Sequence, residues 1–144
     1  MESTTMGRVL TEATVENLGD LLEAHRGLRP PEQVRRVTVS DALVDTGATT
    51  LALPLRLIQQ LGLSKRYDKW GRASTGKRKV AVYEAVRLTI QGRDCTVDVM
   101  AVPDDVPVLI GQIPLEMMDF VVDSQSRQLI GNPAHGGEQT LELY

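Results

Sequence analysis

The chain has 144 residues, of which 42% are hydrophobic but only 3% aromatic, and it carries a net charge of −3 with a pI near 5.4. That length fits one domain able to bury its own core, and the composition calls for an aliphatic core rich in Val, Leu, Ile and Thr, which favours strands. The acidic balance argues against a dedicated nucleic-acid binder, and a lone cysteine, Cys95, excludes an internal disulfide.

From Arg8 to Glu16 the side chains alternate. Val9, Thr11, Ala13 and Val15 can face inward, and Arg8, Glu12, Thr14 and Glu16 outward, as in a half-buried strand. Leu10 breaks the pattern and suggests a second buried face. Asp20 to Gly27 reads as one short helical turn, capped by Asp20 and stopped by Gly27, before the extended Arg29-Pro30-Pro31. Gln33 to Val39 is a return strand, and Ala42, Leu43 and Val44 carry the chain inward to Asp45. Leu51 to Gly62 reads as a short amphipathic helix, with Pro54 at its first position and Gly62 just past its end. Its packing face is Leu57, Ile58 and Leu61.

Lys65 to Lys79 holds seven Lys and Arg against a single acid, Asp68. It reads as a solvated hairpin turning at Ser74-Thr75-Gly76-Lys77, or as a cationic lid that favours an acidic substrate or partner. Val80–Tyr83, Ala85–Ile90 and Cys95–Val102 are three further strands, with a turn at Gln91-Gly92-Arg93-Asp94 between the last two. Cys95 reads as a packing residue rather than a nucleophile. Val106 to Ile110 is a buried strand ending at Gly111, and Gln112 to Met118 a short helix. Asp119–Val122 and Gln128–Ile130 pair across a turn. Gly131 to Gly137 reads as a flexible linker, and Thr140 to Tyr144 as a terminal strand or a loose tail.

The opening residues Met1-Glu2-Ser3-Thr4-Thr5 lack a basic region followed by an apolar one. No apolar run approaches the ~20 residues of a membrane-spanning helix. A cytoplasmic protein with no membrane or nucleic-acid partner is therefore expected. His25 and His135 sit outside any metal-ligand spacing, no serine occupies a nucleophile elbow, and no glycine loop has phosphate-binding form. No metal or organic cofactor is expected.

The stretch Leu43-Val44-Asp45-Thr46-Gly47-Ala48-Thr49-Thr50 puts an acid, a hydroxyl and a glycine in a row after an apolar run. An acid there is costly unless hydrogen bonds or a second acid manage its charge. Gly47 lets the backbone turn sharply and approach a ligand. The tripeptide alone fits an ordinary strand-ending turn better, since Asp, Thr and Gly are all turn residues. A second signature, Val108-Leu109-Ile110-Gly111, lies downstream.

In this order and spacing the two motifs resemble the retropepsin-like aspartic proteases, the family of the single-domain retroviral proteases and their bacterial and cellular relatives. The resemblance runs from Met6 to Ile130 and is to a bacterial-type member. It implies an all-β chain with one or two short helices, a closed β-barrel that is one half of an acid protease and works as a homodimer. Residues 1–130 would form this domain, and residues 131–144 a linker and a tail able to join the dimer interface. The resemblance assigns catalysis to Asp45 and support of its turn to Thr46, Gly47 and Ala48. It assigns substrate contact to Gly47, Thr49 and Gly76, the last at the tip of a flap hairpin with Gly71 as the alternative. Leu109, Ile110 and Gly111 would stand beside the site. Retroviral members usually follow that glycine with an arginine, paired to an acid just after the triplet. Here Gln112 and Thr49 replace both partners together, which implies a different hold on the substrate backbone.

Asp-Thr-Gly occurs once, and Asp123-Ser124-Gln125 lacks the glycine. Two carboxylates about 3 Å apart share a proton and can serve as base and acid in one step. The second Asp45 must then come from a second copy in a C₂ homodimer. The expected activity is aspartic-type endopeptidase hydrolysis of peptide or protein substrates. The alternative is a weak or inactive dimerisation or peptide-binding module on the same fold.

Overall fold

The computed structural model describes residues 8–141 and Leu143. Strand β1 (Leu10–Asn17) runs antiparallel to β2 (Arg36–Val44), and its second half also pairs with β5 (Gly76–Ile90). The other strands of this sheet are β3 (Leu51–Pro54), β4 (Lys65–Ala73), β6 (Arg93–Val102) and β7 (Leu109–Ile110). Their order is β1-β2-β7-β3-β6-β5, and the extra β1–β5 pairing closes the sheet into a ring, with β4 hanging off β5 outside it. The β2–β7 and β3–β6 pairs are parallel. Strands β8 (Phe120–Asp123) and β9 (Gln128–Gly131) form a separate antiparallel pair. The chain is mainly β, as expected, but it has three helices among the described residues: α1 (Leu18–His25), α2 (Leu55–Gln60) and α3 (Gln112–Met117). None is long and apolar enough to cross a membrane.

Alternation fills the ring. Val86, Leu88 and Ile90 of β5 and Val99 of β6 are almost fully buried beside Leu51, Leu53, Ile58 and Ile110. β3 departs from the period of two. All four of its residues are buried between β7 and β6, so its apolar run looks like the start of the following helix when only the sequence is read. The helix begins one residue after Pro54. It ends as the sequence predicts: Gly62, at φ +69°, donates to Gln59 O and Leu63 donates to Ile58 O. That hydrogen-bond pair is the Schellman C-cap.

Two acids break the expected pattern. Glu16 is buried because it lies between Arg36 at 3.0 Å and Arg87 at 3.2 Å, from the two strands that flank β1. Asp20 does not cap α1; Asn17 does, through Oδ1 to the Asp20 amide. Asp20 instead accepts from Arg35 at Nε (2.8 Å), Nη2 (2.9 Å) and the main-chain N (3.0 Å). Those hydrogen bonds to Arg35 lower its pKa to about 2 against the opposing effect of burial. Leu10 is exposed rather than part of a second buried face.

β5 is one strand, not two. An irregularity in its pairing between Tyr83 and Val86 absorbs the break in alternation at Glu84 and Ala85. Residues 131–137, expected as a flexible linker, contain a 3₁₀ turn at Pro133–His135. Asp119, buried at the end of α3, fastens this stretch: its carboxylate lies 2.7 Å from His135 Nδ1 and accepts from Thr140 N and Asn132 Nδ2. His135, the Thr140 amide and Asn132 together hold its carboxyl below the ordinary value. Arg93 adds hydrogen bonds to the carbonyls of Met118, Asp119 and Gly137. Of the expected terminal strand, Glu142 and Tyr144 lie outside the described residues, and Thr140, Leu141 and Leu143 are not in a strand.

Candidate active site

β2 delivers Asp45. The parallel register sets Leu43 against Leu109 and Val44 against Ile110, and the Asp45 amide donates to Ile110 O at 2.9 Å. The chain then turns: Ala48 N donates to Asp45 O at 3.0 Å, and Gly47 N donates to Asp45 Oδ1 at 3.0 Å. The carboxylate is thus held by the turn that follows it, half-buried, with Thr46 and Gly47 exposed on either side of the bend.

Gly111 locks this turn to the rest of the molecule. Its amide donates to Thr50 O at 3.0 Å, and the next two amides, Gln112 and Ile113, donate to Ala48 O and Thr49 O at 2.9 Å each. Three successive donors at the start of α3 therefore hold three successive carbonyls of the loop. Close approach is the reason for the glycine: a Cβ there would stand 2.4 Å from Thr50 O and 2.7 Å from both Ala48 O and Thr50 N. Gln112 and Thr49, which stand where the retroviral sequences of the resemblance carry an arginine and an acid, are exposed, and here the main chain at their positions makes the connection.

A groove of about 590 Å³ opens beside the loop. Thr49 and Thr50 line it from the loop, Lys69, Trp70 and Arg72 from β4, Asp98 and Met100 from β6, and Ile113 and Met117 from α3. Asp45, Thr46, Gly47 and Gly76 are not among the lining residues. Ala48 sits between turn and groove as an acceptor for α3. Gly76 begins β5 immediately after the Ser74-Thr75 turn, at φ +121° with open space where a Cβ would lie. Gly71, the alternative hairpin tip, lies inside β4 opposite Arg78. Leu109 is half-buried and Ile110 fully buried beneath the Asp45 turn.

The sequence did not point to Trp70, Ile113 and Met117 as groove residues, although all three are large, apolar and exposed. A signal existed on α3. Ile113 and Met117 are four apart on one side of the helix, and Leu115 and Met118 fill the other, so a six-residue helix has two apolar faces and only one can be core. A family model described as Aspartyl protease matches residues 33–130, a span that contains the Asp45 loop, the hairpin, Gly111 and α3. No curated protein matches the chain.

Proposed function

The chain belongs to the aspartyl protease family, and on that footing we propose that it is an aspartic endopeptidase acting as a homodimer, with Asp45 of both copies at one shared site. The observation that carries this is the clamp on Asp45. A carboxylate pinned by its own turn, on a loop held by three amides of α3, is positioned for chemistry at a fixed point. A single Asp-Thr-Gly triplet supplies half of an acid–base pair.

In the proposed dimer, water lies between the two Asp45 carboxyl groups. The ionised one removes a proton from the water as its oxygen attacks the scissile carbonyl. The protonated one gives its proton to the carbonyl oxygen, and a tetrahedral diol results. Proton transfer to the amide nitrogen then breaks the C–N bond and releases acid and amine. Thr46, exposed beside Asp45, is available to pack against the partner's turn. The peptide would run between the loop and the β4–β5 hairpin, with Gly47, Thr49 and Gly76 offering main-chain contacts. We place its action in the cytoplasm on the reading that a lone cysteine, Cys95, leaves no internal disulfide to require an oxidising compartment.

Cleavage of a diverse peptide set by wild type and by Asp45→Asn tests the proposal, with dimer fraction measured in the same buffers. Cuts should appear only with wild type, and activity per subunit should fall on dilution below the dimer constant. An active Asp45→Asn, or a specific activity that stays flat through dissociation, would end it.

A further inference from the structure

The hairpin of β4 and β5 is charged against the rest of the molecule. Between Lys65 and Lys79 seven cations face one acid, a charge of +6, while the whole chain carries −3. Lys65 lies 2.9 Å from Asp68, and Arg66 lies 3.5 Å from Asp98. No carboxylate among the described residues comes within 4 Å of Lys69, Arg72, Arg78 or Lys79. Pairing adds to the crowding, because the register sets Arg72 directly opposite Lys77. Like charges placed so repel. A hairpin needing only solubility gains nothing from that arrangement, whereas an anion lying along it relieves the repulsion. Lys69 and Arg72 are also the two cations that line the groove, next to the apolar Ile113 and Met117.

We infer that the groove selects acidic peptides: an apolar side chain rests on Ile113 and Met117, and neighbouring Asp or Glu side chains of the substrate are drawn to the cations Lys69 and Arg72. This rests on the reading of the groove as the substrate cleft and narrows the class of peptide it takes. Outside the hairpin the chain carries a net −9, so the hairpin is its concentrated positive region and steers an acidic peptide towards the groove, where Asp98 is the one lining acid and lies 3.5 Å from Arg66.

The test uses the full chain and short peptides with a central apolar pair flanked by Glu, Gln or Lys. Trp70 is the only tryptophan and lines the groove, so its fluorescence reads binding without turnover. Glu-flanked peptides should bind Asp45→Asn about 10-fold more tightly than Gln-flanked ones at low salt, a size set by two partly exposed charge pairs. The advantage should vanish near 1 M salt, where screening acts within about 3 Å. Lys69→Glu combined with Arg72→Glu should invert the order in favour of Lys-flanked peptides. If that variant does not fold, Lys69→Gln with Arg72→Gln should erase the preference. Equal binding of the three peptide sets, an order unmoved by the hairpin variants, or a single-stranded oligonucleotide that displaces every peptide would each overturn the inference. Ranked binding without any cleavage by wild type would refute the protease reading and uphold the selectivity; cleavage without ranking would do the reverse.

Discussion

Gly111→Ala tests how the fold holds the candidate catalytic loop. The added Cβ would sit 2.4 Å from Thr50 O, and ordinary contact begins at 3.4 Å, so loop and helix must part by about 1 Å in a packed region. That movement weakens the hydrogen bonds from Gly111 to Thr50, Gln112 to Ala48 and Ile113 to Thr49. Overpacking costs about 1–3 kcal/mol, and losing one or two of these three bonds adds about 1 kcal/mol each. A total of about 2–5 kcal/mol follows, a large share of the 5–15 kcal/mol that typically holds a domain folded. Because the displaced loop carries Asp45, a shift of about 1 Å should also lower peptide cleavage by about 100-fold under conditions where the variant is still folded. Urea unfolding gives the first quantity and kcat/KM the second. A variant with wild-type midpoint and wild-type turnover would refute the clamp. Gly47→Ala is the milder comparison, since its Cβ would meet only Asp45 Oδ1, at 3.3 Å.

The buried Asp20 gives the fold an acid limit. Its folded pKa of about 2 lies below the ordinary 3.8, so its ionised form contributes stability above pH 4. That contribution, about 2 kcal/mol, is lost as pH falls from 4 towards 2. Asp20→Asn should remove this part of the acid dependence, and an acid unfolding profile that keeps it would disprove the Arg35 pairing. Leu53→Ala, at a fully buried position on β3, should cost about 2–5 kcal/mol in urea unfolding; a loss well under 1 kcal/mol would mean that the ring core collapses onto the gap. Asp119→Ala should leave residues 132–140 open to limited proteolysis, and unchanged protection would show that its contacts to His135 and Thr140 do not fasten them.

Where local chemistry decides, the sequence was readable. Gly62 stops α2 because the Schellman geometry needs a positive φ there, and Ser74-Thr75 turns the hairpin because Gly76 tolerates φ +121°. Asp45 and Gly111 are 66 positions apart, yet the family resemblance implied that their motifs meet, and the Asp45–Ile110 hydrogen bond joins them. Where distant partners decide, the sequence was silent. Glu16 is buried only because β2 and β5 bring Arg36 and Arg87 to it, and β3 is a strand only because β7 and β6 enclose it. Asp119 looked like a strand residue near a linker. Its role depends on the chain returning as far as Thr140, which no local pattern encodes.

The undivided β5 has a mechanical consequence. Its outer part, Gly76 to Ala81, pairs with β4 alone, while Val86 to Ile90 pairs with β6 and, through Val86 to Thr89, also with β1. The irregularity between Tyr83 and Val86 acts as a joint between lever and foundation. Swinging the hairpin at that joint would break the Val82–Met100 and Tyr83–Val99 pairs but none of the β1–β5 ladder or the β5–β6 ladder from Val86 to Ile90, so hairpin motion would cost far less than unfolding the ring. The same strand should then show its fastest amide exchange at the tip and its slowest a few residues beyond the joint. A protein built this way can have a loose gate on a firm frame, and neither property has to be bought from the other.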